Sequence, residues 1–124
     1  MNNSLHLAGR ILLALIFVIS GFGKLADTAG TAGYMAAMGV PTLLLWPTIA
    51  LEVLGGLAII AGFQTRWAAL ALAGFSVVSG VIFHSNFADQ IQLIMFLKNL
   101  AMAGGFLLLA ASGATALSVD SRKA

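Results

Sequence analysis

Two ionisable residues interrupt long apolar runs of this sequence, and chemistry would start most readily from them. Glu52 lies within LLLWPTIALEVLGGLAIIAGF over residues 43–63, and Lys98 lies in a run over 91–111, directly before Asn99. A charge inside a membrane-spanning segment costs several kcal/mol unless it is paired or hydrated, and such residues commonly mark proton relays or ligand sites. Glu52 is therefore a candidate proton carrier, and Lys98 is its candidate partner.

The elements that would position these residues are membrane-spanning helices. The chain has 124 residues, of which 60% are hydrophobic and 8% charged, whereas a soluble domain carries about 25% charged residues. Four apolar runs have the length of about 20 residues that crosses a bilayer. The sequence therefore predicts an all-α integral membrane four-helix bundle forming a single domain over 1–124. The predicted spans are about 5–24, 43–63, 67–84 and 91–111.

Loop charges predict the orientation of the bundle. Positive residues favour the cytoplasmic side of a membrane protein, and the side that carries the termini holds Arg66, Arg122 and Lys123, whereas the opposite side offers only Lys24. Both termini are therefore predicted to be cytoplasmic. Arg10, just inside the first span, is predicted to anchor the inner face by reaching toward the lipid headgroups.

The connection over 25–42 is longer than a turn. Asp27 and Thr28 are typical of a helix start, and Gly39 with Pro41 is typical of a helix end. A short helix at about 28–38 is therefore predicted at the outer interface. It would be either a lid over a site or a simple linker.

Helix depth predicts which polar residues meet. At 1.5 Å per residue, Glu52 lies about 13 Å below the outer end of its span and Lys98 about 10 Å below its own. This agreement predicts a Glu52–Lys98 ion pair, which would either fix the helix register or open to a proton or ligand. The candidate intramembrane polar site, in the outer half of the bundle, comprises Glu52, Lys98, Asn99, His84 and Lys24.

Other kinds of site lack support. No cluster of Lys and Arg indicates nucleic-acid binding, and the absence of cysteine excludes disulfides and thiolate metal sites. His6 and His84 are predicted at opposite membrane faces, which argues against a bis-histidine haem. No metal site or catalytic residue is predicted.

A weak internal repeat is also present. VISG at 18–21 recurs as VVSG at 77–80, and LEVL at 51–54 recurs as LKNL at 97–100. A duplicated pair of helices would place Glu52 and Lys98 at equivalent positions.

Several blocks of the sequence together resemble the DoxX family. They are ISGFGKL (19–25), YMAAMGVP (34–41), EVLGGLAIIAGFQTRWAAL (52–70), FLKNLAMAGGFLLLAASG (96–113) and ALSVD (116–120). The resemblance implies a small four-helix protein of the bacterial inner membrane, associated with quinone-linked oxidoreductases such as thiosulfate:quinone oxidoreductase. It implies no catalytic residues and no covalently bound cofactor, with a quinone as the candidate ligand.

Three functions are compatible with these observations. The first is an accessory subunit of a quinone-linked redox complex, rather than a stand-alone enzyme, in which Lys98, Asn99 and His84 donate to quinone oxygens and Glu52 exchanges a proton. The second is a small oligomeric transporter coupled to protons through Glu52. The third is a membrane scaffold or chaperone without chemistry. The expected partners are the lipid bilayer and either a redox protein or further copies of the chain.

Overall fold

The computed structural model describes residues 3–115 and 117–123, and it is built from helices. Residues 1, 2, 116 and 124 of the predicted domain lie outside this description. The α-helices are α1 (Asn3–Ala26), α2 (Thr28–Ala37), α3 (Leu45–Ala61), α4 (Thr65–Phe83) and α5 (Gln90–Ser112), with short 3₁₀ helices at Thr42–Leu44 and Asp120–Lys123.

Four of these helical segments are long and apolar enough to cross a membrane: α1, Thr42–Ala61, α4 and α5. Their ends lie within two residues of the spans predicted from hydropathy. The predicted all-α, four-helix membrane architecture is confirmed. α2, also predicted, is too short to cross.

The helices pack in a simple order, with α1 against α3, α3 against α4, and α4 against α5. The two ends of the chain meet at the same end of the bundle, where His6 Nε2 lies 3.4 Å from Ser112 Oγ. We call this the inner end, following the predicted orientation, and the end that carries α2 the outer end. The cytoplasmic location of the termini is a prediction from the loop charges.

An aromatic cluster joins three of the helices near the middle of the bundle. The ring of Phe17 packs edge-on against Phe106, with centroids 5.5 Å apart, and against Phe75 at 6.2 Å. Phe17 and Phe106 are buried in the main hydrophobic core, which α1, α3, α4 and α5 all contribute to. On the outer side of this cluster, the helices line a cavity that Phe17 and Phe75 also border.

Two glycines set the spacing of the helix pairs that carry the polar residues. A Cβ atom on Gly21 of α1 would lie 3.2 Å from the backbone nitrogen of Val53, and one on Gly80 of α4 would lie 3.2 Å from Cβ of Asn99. Small residues at these crossings let two helices approach closely. Under the predicted repeat, Gly21 corresponds to Gly80 and Val53 to Asn99, so both helix pairs use the same glycine contact.

The C-terminal segment closes the inner end of the bundle. Asp120 accepts hydrogen bonds from the backbone nitrogens of Gln64 (2.7 Å) and Thr65 (2.9 Å), and so caps α4. Arg10 is 2% exposed and donates to the carbonyl oxygen of Leu117. The prediction that Arg10 extends toward lipid headgroups is therefore wrong, because a carbonyl acceptor inside the protein takes its guanidinium.

Candidate functional site

A cavity of about 830 Å³ lies in the outer half of the bundle. α1, α3, α4 and α5 form its walls, and α2 contributes to its outer side. Ligand sites in proteins are commonly of this kind, with largely apolar walls and a few polar groups that orient the ligand. Its polar lining comprises Ser20, Lys24, Asp27, Thr31, Tyr34, Thr48, Glu52, Ser76, Ser79, His84 and Asn99.

An ion pair between α1 and α3 is the main charged feature of this cavity. Lys24 Nζ lies 2.8 Å from Glu52 Oε1, and the exposed fractions of the two side chains are 24% and 5%. Lys24 Nζ also donates to Ser20 Oγ, one helical turn earlier, at 2.8 Å. The ammonium lies in the last turn of α1, where the helix dipole also favours a positive charge.

The predicted Glu52–Lys98 pair is not formed, because Glu52 faces α1 and not α5. Gly21 allows α1 to approach Glu52 closely, and this contact brings Lys24 to the carboxylate one turn further along. α5 packs mainly on α4, and Lys98 is exposed and outside the cavity lining. The two residues have similar depths in the membrane, but they lie on helix surfaces that do not face each other.

The height of Glu52 in the bundle depends on where α3 begins relative to Pro47. α3 begins at Leu45, directly after a 3₁₀ turn at Thr42–Leu44, so Pro47 lies in its first turn. Proline is tolerated there because the N–H that it lacks would have no partner within the helix. Glu52 therefore lies about 11 Å along α3 from Leu45, and it is 4% exposed.

Asn99 is held by α4 in a way that determines what it can offer a ligand. Its Nδ2 donates to the carbonyl oxygen of Ser76 at 3.0 Å and to Ser79 Oγ at 3.2 Å. Both amide hydrogens are thus engaged, and within the described residues no partner is assigned to Oδ1. Because its donor nitrogen is engaged by α4, Asn99 can offer a ligand its Oδ1 as an acceptor, whereas the sequence led us to expect a donor.

His84 lies at the outer end of α4, where it is half-buried and lines the cavity. Its Nδ1 lies 3.1 Å from Oε1 of Gln92 on α5, so this contact connects the outer ends of the two helices. Four of the five predicted site residues thus line one cavity: Lys24, Glu52, His84 and Asn99.

α2 lies over the outer part of the cavity. Asp27 caps its start by accepting a hydrogen bond from the backbone nitrogen of Gly30 at 3.0 Å. The ring of Tyr34 stacks on Phe83 of α4 with centroids 5.3 Å apart, and Met35 is buried. This placement favours the lid over the linker among the two interpretations of the segment.

Three serines hold the predicted site residues in place, although none of the three was itself predicted. Ser20 holds Lys24, and Ser76 and Ser79 hold Asn99. Their spacing contained a signal, since Ser20 and Lys24 are four residues apart and residues at that spacing share a helix face. Among the described residues, no group of three or more His, Cys, Asp or Glu could hold a metal ion.

The fold and the cavity define a small multi-pass membrane protein with a polar site at membrane depth. Residues 5–85 match the family DoxX, and the chain belongs to the DoxX family. It is 51% identical to inner membrane protein YqjF of Escherichia coli, over 92% of this chain and 88% of YqjF. It is 39% identical to inner membrane protein YphA of the same organism, over 95% of this chain and 89% of YphA.

A more distant relative is a Bacillus subtilis protein named "Putative oxidoreductase CatD", which is 28% identical over 53% of this chain and 52% of CatD. No solved structure is significantly similar to the chain. The predicted inner-membrane location is confirmed by the names of YqjF and YphA together with the four membrane-spanning helices.

Proposed function

We propose that this protein is an accessory subunit of a quinone-linked membrane redox complex and that its cavity holds a quinone headgroup. The observation that carries the proposal is the cavity itself, which places the Lys24–Glu52 pair and Asn99 within apolar walls at membrane depth. The oxidoreductase name of CatD supports a redox association, as does the resemblance to quinone-linked members of the family.

The polar groups of the cavity match the two forms of a quinone headgroup. The Lys24 ammonium has three hydrogens, of which Ser20 accepts one, so it can also donate to a carbonyl oxygen of the oxidised form. Asn99 Oδ1 and the Glu52 carboxylate can accept from the hydroxyl groups of the reduced form. Glu52 would then exchange the proton that accompanies electron transfer, and the apolar walls would exclude water.

Binding by the purified protein provides the first test. The protein is placed in lipid nanodiscs and titrated with a short-chain ubiquinone, and binding is followed by quenching of its tryptophan fluorescence. We expect Lys24→Met and Glu52→Gln to weaken binding about tenfold, the equivalent of one charge-assisted hydrogen bond. Lys98→Met is the matched control, since it removes a lysine outside the cavity and should leave binding unchanged.

Electron flow in membranes provides the second test. Membranes from a deletion strain that carries the wild-type protein should sustain quinone-dependent electron flow. Membranes with the Glu52→Gln variant at equal abundance should sustain less.

Two outcomes of the binding test would contradict the assignment of the cavity. One is that the protein in nanodiscs binds no quinone, and the other is that Lys98→Met weakens binding as much as Lys24→Met.

Proton-coupled transport is the second candidate, and one observation favours it. Glu52 is the only acidic residue within the four membrane-spanning segments, and it faces the cavity beside a lysine. Liposomes containing the protein and a pH-sensitive dye should then show substrate-driven proton movement that Glu52→Gln abolishes. If a broad panel of substrates drives no proton movement, this candidate is excluded.

A further inference from the structure

Lys98 lies on the outside of the bundle at membrane depth. It is eight residues from the start of α5 at Gln90, which is about 12 Å along the helix. The 23 residues of α5 span about 34 Å, close to the 30 Å thickness of the hydrocarbon core. Lys98 is therefore about 5 Å from the centre of the helix. The lysine side chain reaches about 6 Å from its Cα atom, which is too short to bring the ammonium to the headgroups.

A lysine exposed to lipid at this depth is costly. Insertion measurements assign about 2.5–3.5 kcal/mol to a lysine at the centre of a membrane helix. Among the described residues, no carboxylate lies within salt-bridge distance of Lys98, and the carboxylate predicted to neutralise it, Glu52, is paired with Lys24. An acidic group from outside the chain would remove this cost.

A second copy of the chain cannot supply that group. The sequence has four acidic residues, and in a second copy Glu52 would again be engaged by Lys24. The remaining three lie next to helix ends and not within the membrane-spanning segments: Asp27, Asp89 and Asp120. A carboxylate that pairs with Lys98 at this depth would therefore belong to a different protein.

The surface around Lys98 has room for a helix. α5 is the least covered of the four spans. In its apolar 18-residue stretch, 17% of the residues are buried, compared with 22–28% in the other three spans. Ile94, Lys98, Ala101 and Leu108 are exposed on one side of α5, and we call these four residues the α5 face. Ala101 is small, so a second helix could approach closely beside Lys98.

We propose that the α5 face docks a membrane-spanning helix of a different protein, and that this helix carries an Asp or Glu at the depth of Lys98. The ion pair would set the depth and rotation of the partner helix, while the apolar residues of the face pack against it. None of the four residues of the α5 face lines the cavity, so the docking does not depend on which ligand the cavity binds.

Site-specific crosslinking in native membranes tests the proposal. Because the chain has no cysteine, Ala101→Cys can be labelled specifically with a benzophenone maleimide and irradiated. Ile19→Cys is the matched control, since it is exposed on α1 and lies seven residues from the outer end of that helix. We expect a crosslinked product only from Ala101→Cys, and mass spectrometry should identify a membrane span that contains an acidic residue.

Charge substitutions decide whether the lysine matters. Lys98→Met in the Ala101→Cys protein should lower the crosslinking yield at least tenfold, Lys98→Arg should retain it, and neutralising the partner's acidic residue should reproduce the loss. Yields that do not depend on Lys98, equal products from Ile19→Cys, products containing only lipid or a second copy, or no product at all would each overturn the proposal.

The stability of the isolated protein provides an independent check. In nanodiscs without a partner, Lys98→Met should unfold at the same temperature as wild type or higher, because the variant loses only a lysine exposed to lipid. A lower unfolding temperature would show that Lys98 serves the fold of this chain, which also contradicts the proposal.

Discussion

The buried Lys24–Glu52 pair makes the sharpest prediction about stability. Substituting Lys24 by methionine keeps the apolar stem but leaves the Glu52 carboxylate, which is 5% exposed, without its counter-charge. Removing one partner of a fully buried pair typically costs 3–5 kcal/mol. Because Lys24 is 24% exposed and the pair is therefore only partly buried, we expect a smaller loss of about 2–3 kcal/mol.

A double-mutant cycle isolates the interaction from the other effects of each change. Glu52→Gln should cost less than Lys24→Met, about 1–2 kcal/mol, because the charge that it leaves unpaired is the Lys24 ammonium, which is 24% exposed, and not a carboxylate that is 5% exposed. The double variant should lose less free energy than the sum of the two single losses, by about 1–2 kcal/mol. The free energy of unfolding can be measured by titrating mixed micelles with sodium dodecyl sulfate and following helix content.

Lys98→Met is the matched comparison, since both lysines lie in membrane-spanning helices and only Lys24 is paired. We expect Lys98→Met to change the free energy of unfolding in micelles by no more than about 0.5 kcal/mol. If the two lysine variants are equally destabilised, or if the two partners show additive effects, the pair does not stabilise the fold as described.

Three further predictions concern the contacts that arrange the helices. Gly21→Ala should push α1 away from α3 and cost about 1–3 kcal/mol by overpacking, whereas Gly9→Ala, whose added Cβ would meet nothing within 4 Å, should be neutral in the same micelle titration. Asp120→Ala removes the cap on the backbone nitrogen of Thr65 and should lower the free energy of unfolding by about 1–2 kcal/mol; an unchanged value would show that the C-terminal segment does not hold α4. Asp27→Ala removes the cap of α2 and should speed hydrogen exchange within α2 alone, and acceleration throughout the bundle would contradict its role as a separate lid.

Much of the candidate site could be predicted because the polar residues of this chain are few. With 8% charged residues, each ionisable group inside a span was conspicuous, and Lys24, Glu52, His84 and Asn99 do line one cavity. The details within the cavity could not be predicted. The donors of Asn99 are engaged by the carbonyl of one serine and the hydroxyl of another, and such bonds depend on how α4 and α5 are rotated against each other.

The sequence by itself determined the helices and their limits. Hydropathy and length specify the spans, and local chemistry specifies helix ends, as at the Asp27 cap of α2. These are properties of neighbouring residues, so they can be read along the chain.

Only the tertiary structure decided which side chains meet. A residue's position in its span gives its depth but not the helix that it faces, which is why similar depths suggested Lys98 for Glu52 while the glycine contact between α1 and α3 brought Lys24 instead. The burial of Arg10 by the C-terminal segment has the same cause, because its partner Leu117 lies 107 residues further along the chain. Because Glu52 pairs with Lys24, Lys98 is left exposed at membrane depth, and this exposure is the basis for the proposed partner helix.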